Sequence, residues 1–568
     1  VKLTRLAVSV IACLGAIGPG QAAEPMWVFL ADKEDATGGR VDWDLSSVAS
    51  LSPHLDLSLD PNYVQAIRAT GAGLRQRSRW LNAVSVSAEP SQIQSLLALP
   101  FVVRLSRIRS LVRSPEAESP GPALRSAVAP SYGESFEQIA AVSAHLLHSR
   151  DILGQGVRIV VIDAGFNFSD HRAFADLTVI ATRDFLNGDD NVGDESDEPV
   201  TGNEIENGQN LHGTRVLGVL AGNDPGRLVG IAPRAEYLLA KTENARVDER
   251  GNEVDSPTEE DRWIAALEWA DSLGAQVASS SVGYTEFGDN AGYTYDDLDG
   301  ATALSTLAAQ MAVTRGMVVV QAAGNEGNQA WHYITVPADA AGVIAVGSVH
   351  PINSSISSFS SRGPTADGRI KPDVVAPGQQ IVTVSGRSTS PAASYGLQEY
   401  QRLSGTSFSA PIVSGACALL LQLHPNWSPQ DVADALRETA TDLGPAGPDT
   451  LFGWGLVNVA SASGIDEIIP AQSRIATPFP NPARGNSPVV HFPVALQAGE
   501  DIALSLFDAA GTLVEHIATR HLPAGDYSSA ELAPSWEVPT HLANGVYLYV
   551  LQGTTFSHRG KVAILRDR

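Results

Sequence analysis

The sequence predicts an α/β protein: a mostly parallel sheet flanked by helices, preceded by a small α+β unit and followed by a β-sandwich. Three observations predict it. From about residue 132 to 463, apolar strand-like runs such as Val157-Arg-Ile-Val-Val-Ile162 alternate with helical ones such as Thr258 to Leu273, the rhythm of βαβ units. Ahead of this block, two strand-like runs flank a short helical one. After Thr477-Pro-Phe-Pro-Asn-Pro482 the apolar period falls to two, in short strands separated by turns.

In chain order, Val1-Lys-Leu-Thr-Arg5, an apolar stretch from Leu6 to Gly18 and the small residues up to Ala23 read as a secretory signal peptide over residues 1–23. That stretch is too short for a comfortable membrane span. Residues 24–130 read as the α+β unit and a linker: Trp80 to Ser87 suits a strand, Pro90 to Leu99 a helix and Phe101 to Leu105 a second strand. Between Arg68 and Arg113 eight arginines face one acid, Glu89. Ser114-Pro-Glu-Ala-Glu-Ser-Pro-Gly-Pro122 has the punctuation of an exposed linker. The α/β block is assigned to residues 131–464 and the β-sandwich to 475–568, the latter on runs such as Ile502-Ala-Leu-Ser-Leu-Phe507 and Gly545-Val-Tyr-Leu-Tyr-Val-Leu551.

Composition agrees. The 568 residues include 43% hydrophobic and 18% charged side chains, the balance of a packed globular protein. A formal charge of −25 makes nucleic acid an unsuitable partner. Cys13 falls in the leader and Cys417 stands alone, so no intrachain disulfide survives its removal.

Four stretches of the α/β block carry reactive residues. Val160-Val-Ile-Asp163-Ala-Gly165 ends an apolar strand in a carboxylate, where open parallel sheets place functional groups, although a helix N-cap aspartate leaves the same signature. His212-Gly-Thr-Arg-Val-Leu-Gly218 starts a small-residue helix. Val318-Val-Val-Gln-Ala-Ala-Gly324-Asn325 ends another buried strand in an amide. Ser404-Gly-Thr-Ser407-Phe-Ser-Ala-Pro411 puts Ser407 at a helix N-terminus, where free N–H groups favour developing negative charge, and crowds it with more hydroxyls than one cap requires. Acyl transfer through a serine needs a base, an orienting carboxylate and a donor for the oxyanion; all are present.

In the order Asp163, His212, Asn325, Ser407, these motifs resemble the subtilisin-like serine proteases, the subtilases, over about 330 residues. The resemblance implies Ser407 as nucleophile, His212 as general base and then acid, and Asp163 as the group holding the imidazole. It further implies Asn325 and the Ser407 backbone N–H as oxyanion donors. Ser281-Val282-Gly283 would pair with an extended peptide and, with Ala322-Ala323-Gly324, line the primary specificity pocket. Two departures are Ala164, where the family more often has Ser or Thr, and Arg215-Val-Leu217, where it often has His-Val-Ala. The sedolisin-like proteases share Ser-Gly-Thr-Ser, but their glutamate base and oxyanion aspartate do not match His212 and Asn325.

The unit before the linker resembles a subtilase propeptide, an intramolecular inhibitor of its own enzyme. Residues 1–130 carry 13 basic and 11 acidic side chains, leaving −27 on the remainder, so the two should associate quickly and salt-dependently. Autoprocessing is expected between about Arg113 and Ser131. Seven acids between Asp184 and Glu198, with Asp189, Asp190 and Asp194 as leading ligands, suit structural calcium; catalysis needs no cofactor. The C-terminal unit resembles the sorting domains of type IX secretion substrates, through Pro478 to Pro482, Phe507-Asp-Ala-Ala-Gly511, Leu542-Ala-Asn-Gly-Val-Tyr547 and Lys561-Val-Ala-Ile-Leu565. The sequence thus predicts a bacterial serine endopeptidase, secreted or at the cell surface, made as a zymogen, acting on polypeptides and using secretion machinery. The alternative is a non-catalytic surface adhesin or binding protein on the same scaffold.

Overall fold

The computed structural model describes residues 23–108, 117–118, 132–193, 195, 211–243, 259–284, 292–385, 399–464 and 474–566, apart from short gaps at 47, 170, 486–487, 498, 509–510, 528–532 and 554–555. The leader, most of the linker and Asp194 therefore lie outside the described residues.

The first unit is a four-stranded antiparallel sheet, β1 (Glu24–Leu30), β2 (Gly73–Ser78), β3 (Ala83–Ala88) and β4 (Val102–Arg107), in the order β2-β3-β1-β4. Helices α1 (Pro61–Ala69) and α2 (Pro90–Leu97) both start on a proline, whose fixed φ suits the first turn, and the Asp60 side chain caps α1 by accepting from the Asn62 N–H. They cover one face of the sheet, packing Ile67, Ile93 and Leu96 over Val28, Val84 and Val86. The expected strand, helix and strand are there, and β1, β2 and α1 join them; the arginine-rich run that became β2 lacks the apolar alternation that marks a half-buried strand.

The central block is built on seven parallel strands: β5 (Arg158–Asp163), β6 (Thr178–Asp184), β7 (Glu236–Lys241), β8 (Val277–Ser280), β9 (Val318–Ala322), β10 (Ile344–Val349) and β11 (Val374–Pro377). Their order is β11-β10-β9-β8-β5-β7-β6. Helices cover both faces, which is why the inner strands are buried along their length while edge strand β6 is partly exposed. Within β5 the pleat sends Ile159 and Val161 into one core and Val160 and Ile162 into the other.

The first core lies under α3 (Ala144–His148), α4 (Leu211–Ala221) and α7 (Thr406–Leu423), and the second under α5 (Glu259–Ser272) and α6 (Leu304–Thr314). Helix α7 is long and apolar enough to cross a membrane, yet 89% of it is buried inside the fold, so it serves as the central core helix. Just before it, β12 (Ile381–Val384) and β13 (Tyr400–Ser404) form an antiparallel pair, and from the linker Ala117–Glu118 adds a third strand against Leu403–Ser404.

The first unit docks on the second core. Trp27 and Phe29 from its sheet and Trp80 from the turn between β2 and β3 share a cluster with Trp263, Leu267 and Leu304 from α5 and α6.

The C-terminal unit is rich in β-strand, as expected. Its main sheet joins β14 (Glu500–Phe507), β15 (Leu513–Leu522), β16 (Gly545–Gln552) and β17 (Ser557–Leu565) to the short strand Ala483–Arg484. Ile502, Leu504 and Leu506 of β14 point inward at period two. The unit touches the central block at α3: His145 stacks on Tyr527 with centroids 5.2 Å apart, and a Cβ added to Gly525 would lie 2.7 Å from the Leu146 side chain.

Candidate active site

Asp163 is the last residue of β5 and has no exposed surface. Its Oδ1 accepts from the Ala164 N–H at 2.7 Å and pairs with His212 Nδ1 at 2.5 Å. His212 is the second residue of α4, so a strand end and a helix start must come very close. Gly213 allows this, because a Cβ there would lie 2.3 Å from the Gly165 carbonyl oxygen. The contact with Asp163 engages Nδ1, and a hydrogen bond at one ring nitrogen sets the role of the other.

Ser407 is the second residue of α7 and is 2% exposed. The ring of its neighbour Phe408 lies 6.3 Å from the His212 ring, centroid to centroid, which brings the start of α7 to the imidazole. The Ser407 hydroxyl donates to the Ser281 carbonyl at 3.3 Å, and the Ser281 hydroxyl donates to the Ser407 carbonyl at 2.8 Å. The surplus hydroxyls have separate duties. Ser409 donates to Ala376 O at 3.1 Å, while Thr406 receives the Gly324 N–H at 3.2 Å and donates to Asn325 Oδ1 at 3.0 Å.

Asn325 Oδ1 also accepts the Thr406 N–H at 2.9 Å. Two donors on one side fix which way the amide faces. The Asn325 NH2 is therefore directed away from Thr406, the orientation an oxyanion donor needs.

Ser281 to Gly283 continue from β8, and Ala322 closes β9. The two segments are walls on either side of the start of α7, tied to it through Ser281 and Gly324. Val282, Ala322 and Ala323 turn their side chains into three different core clusters, so the walls present backbone rather than apolar side chains to a ligand. Tyr284, buried just past the first wall, exchanges backbone hydrogen bonds of 2.9 and 3.0 Å with Val336. Arg215, one turn after His212, reaches toward β12 and β13: its Nε lies 3.4 Å from Ser385 O and 2.7 Å from the side-chain oxygen of Gln401 when that amide is turned to face it.

In the acidic loop, carboxylate oxygens of Asp184, Asp189 and Glu195 lie within 4.8 Å of one another. Of the leading candidates only Asp189 belongs to this cluster. Asp190 pairs with Arg183 at 3.3 Å, and Asp194 lies outside the described residues. Hydrogen bonds from Asn187 and Asn191 hold the Glu195 carboxyl below its usual range. Buried Lys241 pairs with Asp184 at 3.0 Å and donates to Gly193 O at 2.9 Å. The donors are hard oxygens suited to calcium, with Lys241 already neutralising one carboxylate.

The single-letter motifs point to Asp163, His212, Asn325 and Ser407 but not to Thr406 or to Thr335, a buried residue between the two walls. Thr406 is one of the surplus hydroxyls visible at this helix start, but nothing in the sequence pairs it with Asn325. Thr335 belongs to no recognisable spacing.

Comparison with known proteins identifies the family and the fold. The Subtilase family profile matches residues 154–455, and the profile of the Peptidase S8 propeptide domain of Bacteroidota matches residues 48–120. Subtilisin E of Bacillus subtilis (strain 168) is 32% identical over 401 residues, covering 70% of this chain and 84% of that protein. Subtilisin of Bacillus pumilus is 34% identical over 328 residues, 57% of this chain and 97% of that one. Fervidolysin from Fervidobacterium pennivorans, a keratinolytic enzyme related to subtilisin, superposes with a TM-score of 0.54 at 20% identity over 97% of this chain and 79% of its own, which shows the shared fold.

Proposed function

Since the chain belongs to the subtilase family and is a serine endopeptidase carrying a propeptide, we propose that Ser407, His212 and Asp163 form its catalytic triad and Asn325 its oxyanion donor. The observation that carries this reading is the 2.5 Å contact between His212 Nδ1 and the buried Asp163 carboxylate, beside a serine at the N-terminus of α7.

The chemistry follows from the atoms. An extended peptide lies along Ser281 to Gly283 and pairs through its backbone. Ser407 Oγ attacks the scissile carbonyl while His212 Nε2 takes its proton, and Asp163 stabilises the imidazolium through Nδ1–H. The carbonyl oxygen becomes an anion between the Asn325 NH2 and the Ser407 N–H, with the positive end of α7 behind them. His212 returns the proton to the leaving amine, and water repeats the sequence on the acyl-enzyme. No cofactor enters these steps.

The test is labelling of the purified protein with a serine-directed fluorophosphonate. Label on Ser407, loss of label in Ser407→Ala and loss of casein hydrolysis in that variant are expected; label elsewhere, or unchanged hydrolysis, overturns the assignment.

The zymogen is cut between about Arg113 and Ser131. The pairing of Ala117–Glu118 with Leu403–Ser404, three to four residues before Ser407, supports passage of the linker by the nucleophile. Ser407→Ala protein made alone should therefore keep its N-terminal unit.

The remaining assignments are also proposals: a signal peptide over 1–23, the pro-unit and linker over 24–130, the catalytic domain over 131–464 and a type IX-like sorting domain over 475–568, in a protein secreted or held at the surface of a bacterium. Truncation after Gly464 is expected to stop export across the outer membrane, and full export of the shortened chain would remove the sorting role. Calcium at the Asp184, Asp189 and Glu195 cluster is proposed as a structural ion.

A further inference from the structure

On the peptidase reading, the two backbone walls beside Ser407 flank the side chain on the acyl side of the cleaved bond. Both walls contain a glycine facing the same third residue. A Cβ on Gly283 would lie 2.3 Å from Thr335 Oγ1, and one on Gly324 would lie 2.6 Å from Thr335 Cγ2. The Thr335 side chain thus spans the space between the walls, its hydroxyl toward one glycine and its methyl toward the other.

Its position is held on both sides. The Thr335 N–H donates to Ala323 O at 3.0 Å, while its neighbour Val336 exchanges two backbone hydrogen bonds with Tyr284, the residue after the first wall. Thr335 is 3% exposed, and Ser361 closes the space beside it, with Oγ 2.9 Å from the position of a Gly324 Cβ and its N–H donating to Gly324 O at 3.0 Å. Ser361 Oγ in turn accepts the buried Glu326 N–H at 3.0 Å. A large side chain entering between the walls would have to displace a threonine bonded to one wall and linked by its neighbour to the other.

We infer that Thr335 is the floor of the primary specificity pocket and limits the residue on the acyl side of the cleaved bond to small side chains: glycine, alanine and serine. This rests on the peptidase reading above and adds a substrate class to it. The small Ala322-Ala323-Gly324 run by itself sets no limit on pocket size; the side chain that sets it comes from the loop that follows the second wall and returns to bond Ala323.

The inference is tested with peptide p-nitroanilides that differ only at that residue, alanine against phenylalanine. The processed wild-type enzyme is expected to favour alanine in kcat/KM by at least about tenfold, since even small volume mismatches in such pockets discriminate by roughly 10–200-fold. Thr335→Gly is expected to shift the phenylalanine-to-alanine ratio of kcat/KM toward phenylalanine by about tenfold or more. Thr335→Ser, which loses only the methyl, should fall between them. Independently of any variant, the C-terminal residues of casein fragments cut by the wild type should be small.

Equal or faster cleavage after phenylalanine by the wild type, or an unchanged ratio in Thr335→Gly while the enzyme remains active, overturns the pocket floor and leaves the triad standing. No hydrolysis of either substrate or of casein overturns the peptidase reading, and the floor with it.

Discussion

Asn325 and Thr406 act as one unit. Two donors from Thr406, its N–H and its hydroxyl, hold the amide oxygen of Asn325, so the amide nitrogen is oriented before substrate arrives. Preorganised donors cost no reorganisation at the moment the oxyanion forms. Asn325→Ala is expected to lower kcat by about 10²–10³-fold with little change in KM, the range known for loss of one such donor in this family. Thr406→Val keeps the N–H and removes the hydroxyl. It should lower kcat by roughly tenfold, the order of one lost hydrogen bond of about 1.4 kcal/mol, and Thr406→Ser should restore it. Equal loss in Thr406→Val and Thr406→Ser would place the effect in packing rather than in the hydroxyl. The four principal residues of the site were legible because each sits beside small residues that close packing demands: Gly213, for example, where a Cβ would strike the Gly165 carbonyl. Thr406 and Thr335 were not legible, because their partners are set by the meeting of segments dozens of residues apart.

Elements differ in the same way. Strands β5 and β9 announce themselves as buried apolar runs, and α7 as an apolar helix after a hydroxyl-rich start. Strand β2 does not, since Arg75, Gln76 and Arg77 occupy its centre, and it is formed by pairing with β3 and by contact with α5. The acidic loop after β6 was legible as charge alone. Which acids converge depends on the turn that Asp184 makes by accepting the Leu186 and Asn187 N–H groups at 2.6 and 3.1 Å, and on Lys241 of neighbouring β7. Glu195, Asp189 and Asp184 are drawn together there while Asp190 turns to Arg183. Calcium bound at this cluster would tie β6 to the loop beyond it, so chelation in metal-free buffer is expected to lower the melting temperature, and added calcium to restore it. A melting temperature that ignores both treatments would leave Lys241 as the cation of that cluster and remove calcium from it.

At the scale of the whole molecule, the charge asymmetry of the sequence becomes a specific contact between the pro-unit and α5. Arg75 meets buried Asp261 at 3.3 Å, and Arg79 meets Glu268 at 3.5 Å and Asp271 at 3.4 Å. Charge alone does not account for all eight arginines: Arg104 lies over the Phe29 ring and Arg107 pairs with Glu24 within the pro-unit. The contact also buries acids. Glu268 receives the Ser78 hydroxyl at 2.5 Å and the Arg79 and Trp80 N–H groups at 3.0 and 3.3 Å, yet burial raises its carboxyl from 4.5 to about 7. Burial raises Asp261 as well, against the pull of Arg75. Once the pro-unit leaves, that face of α5 is open to water and Glu268 returns toward its ordinary value. A group whose pKa is higher in the complex than in the separated state strengthens the complex most at low pH, and that contribution fades as pH rises from about 4.5 through 7. Lys33, buried in the pro-unit over the Trp43 ring and lowered to about 7 by that burial, titrates in the opposite sense, so the two are separated by mutation. Release of the cleaved pro-unit, followed as the appearance of peptidase activity after processing, is therefore expected to accelerate on the order of tenfold between pH 5.5 and 7.5. Glu268→Gln, neutral at every pH, should flatten most of that dependence; a pH profile of release identical to wild type in this variant would move the proton linkage away from Glu268.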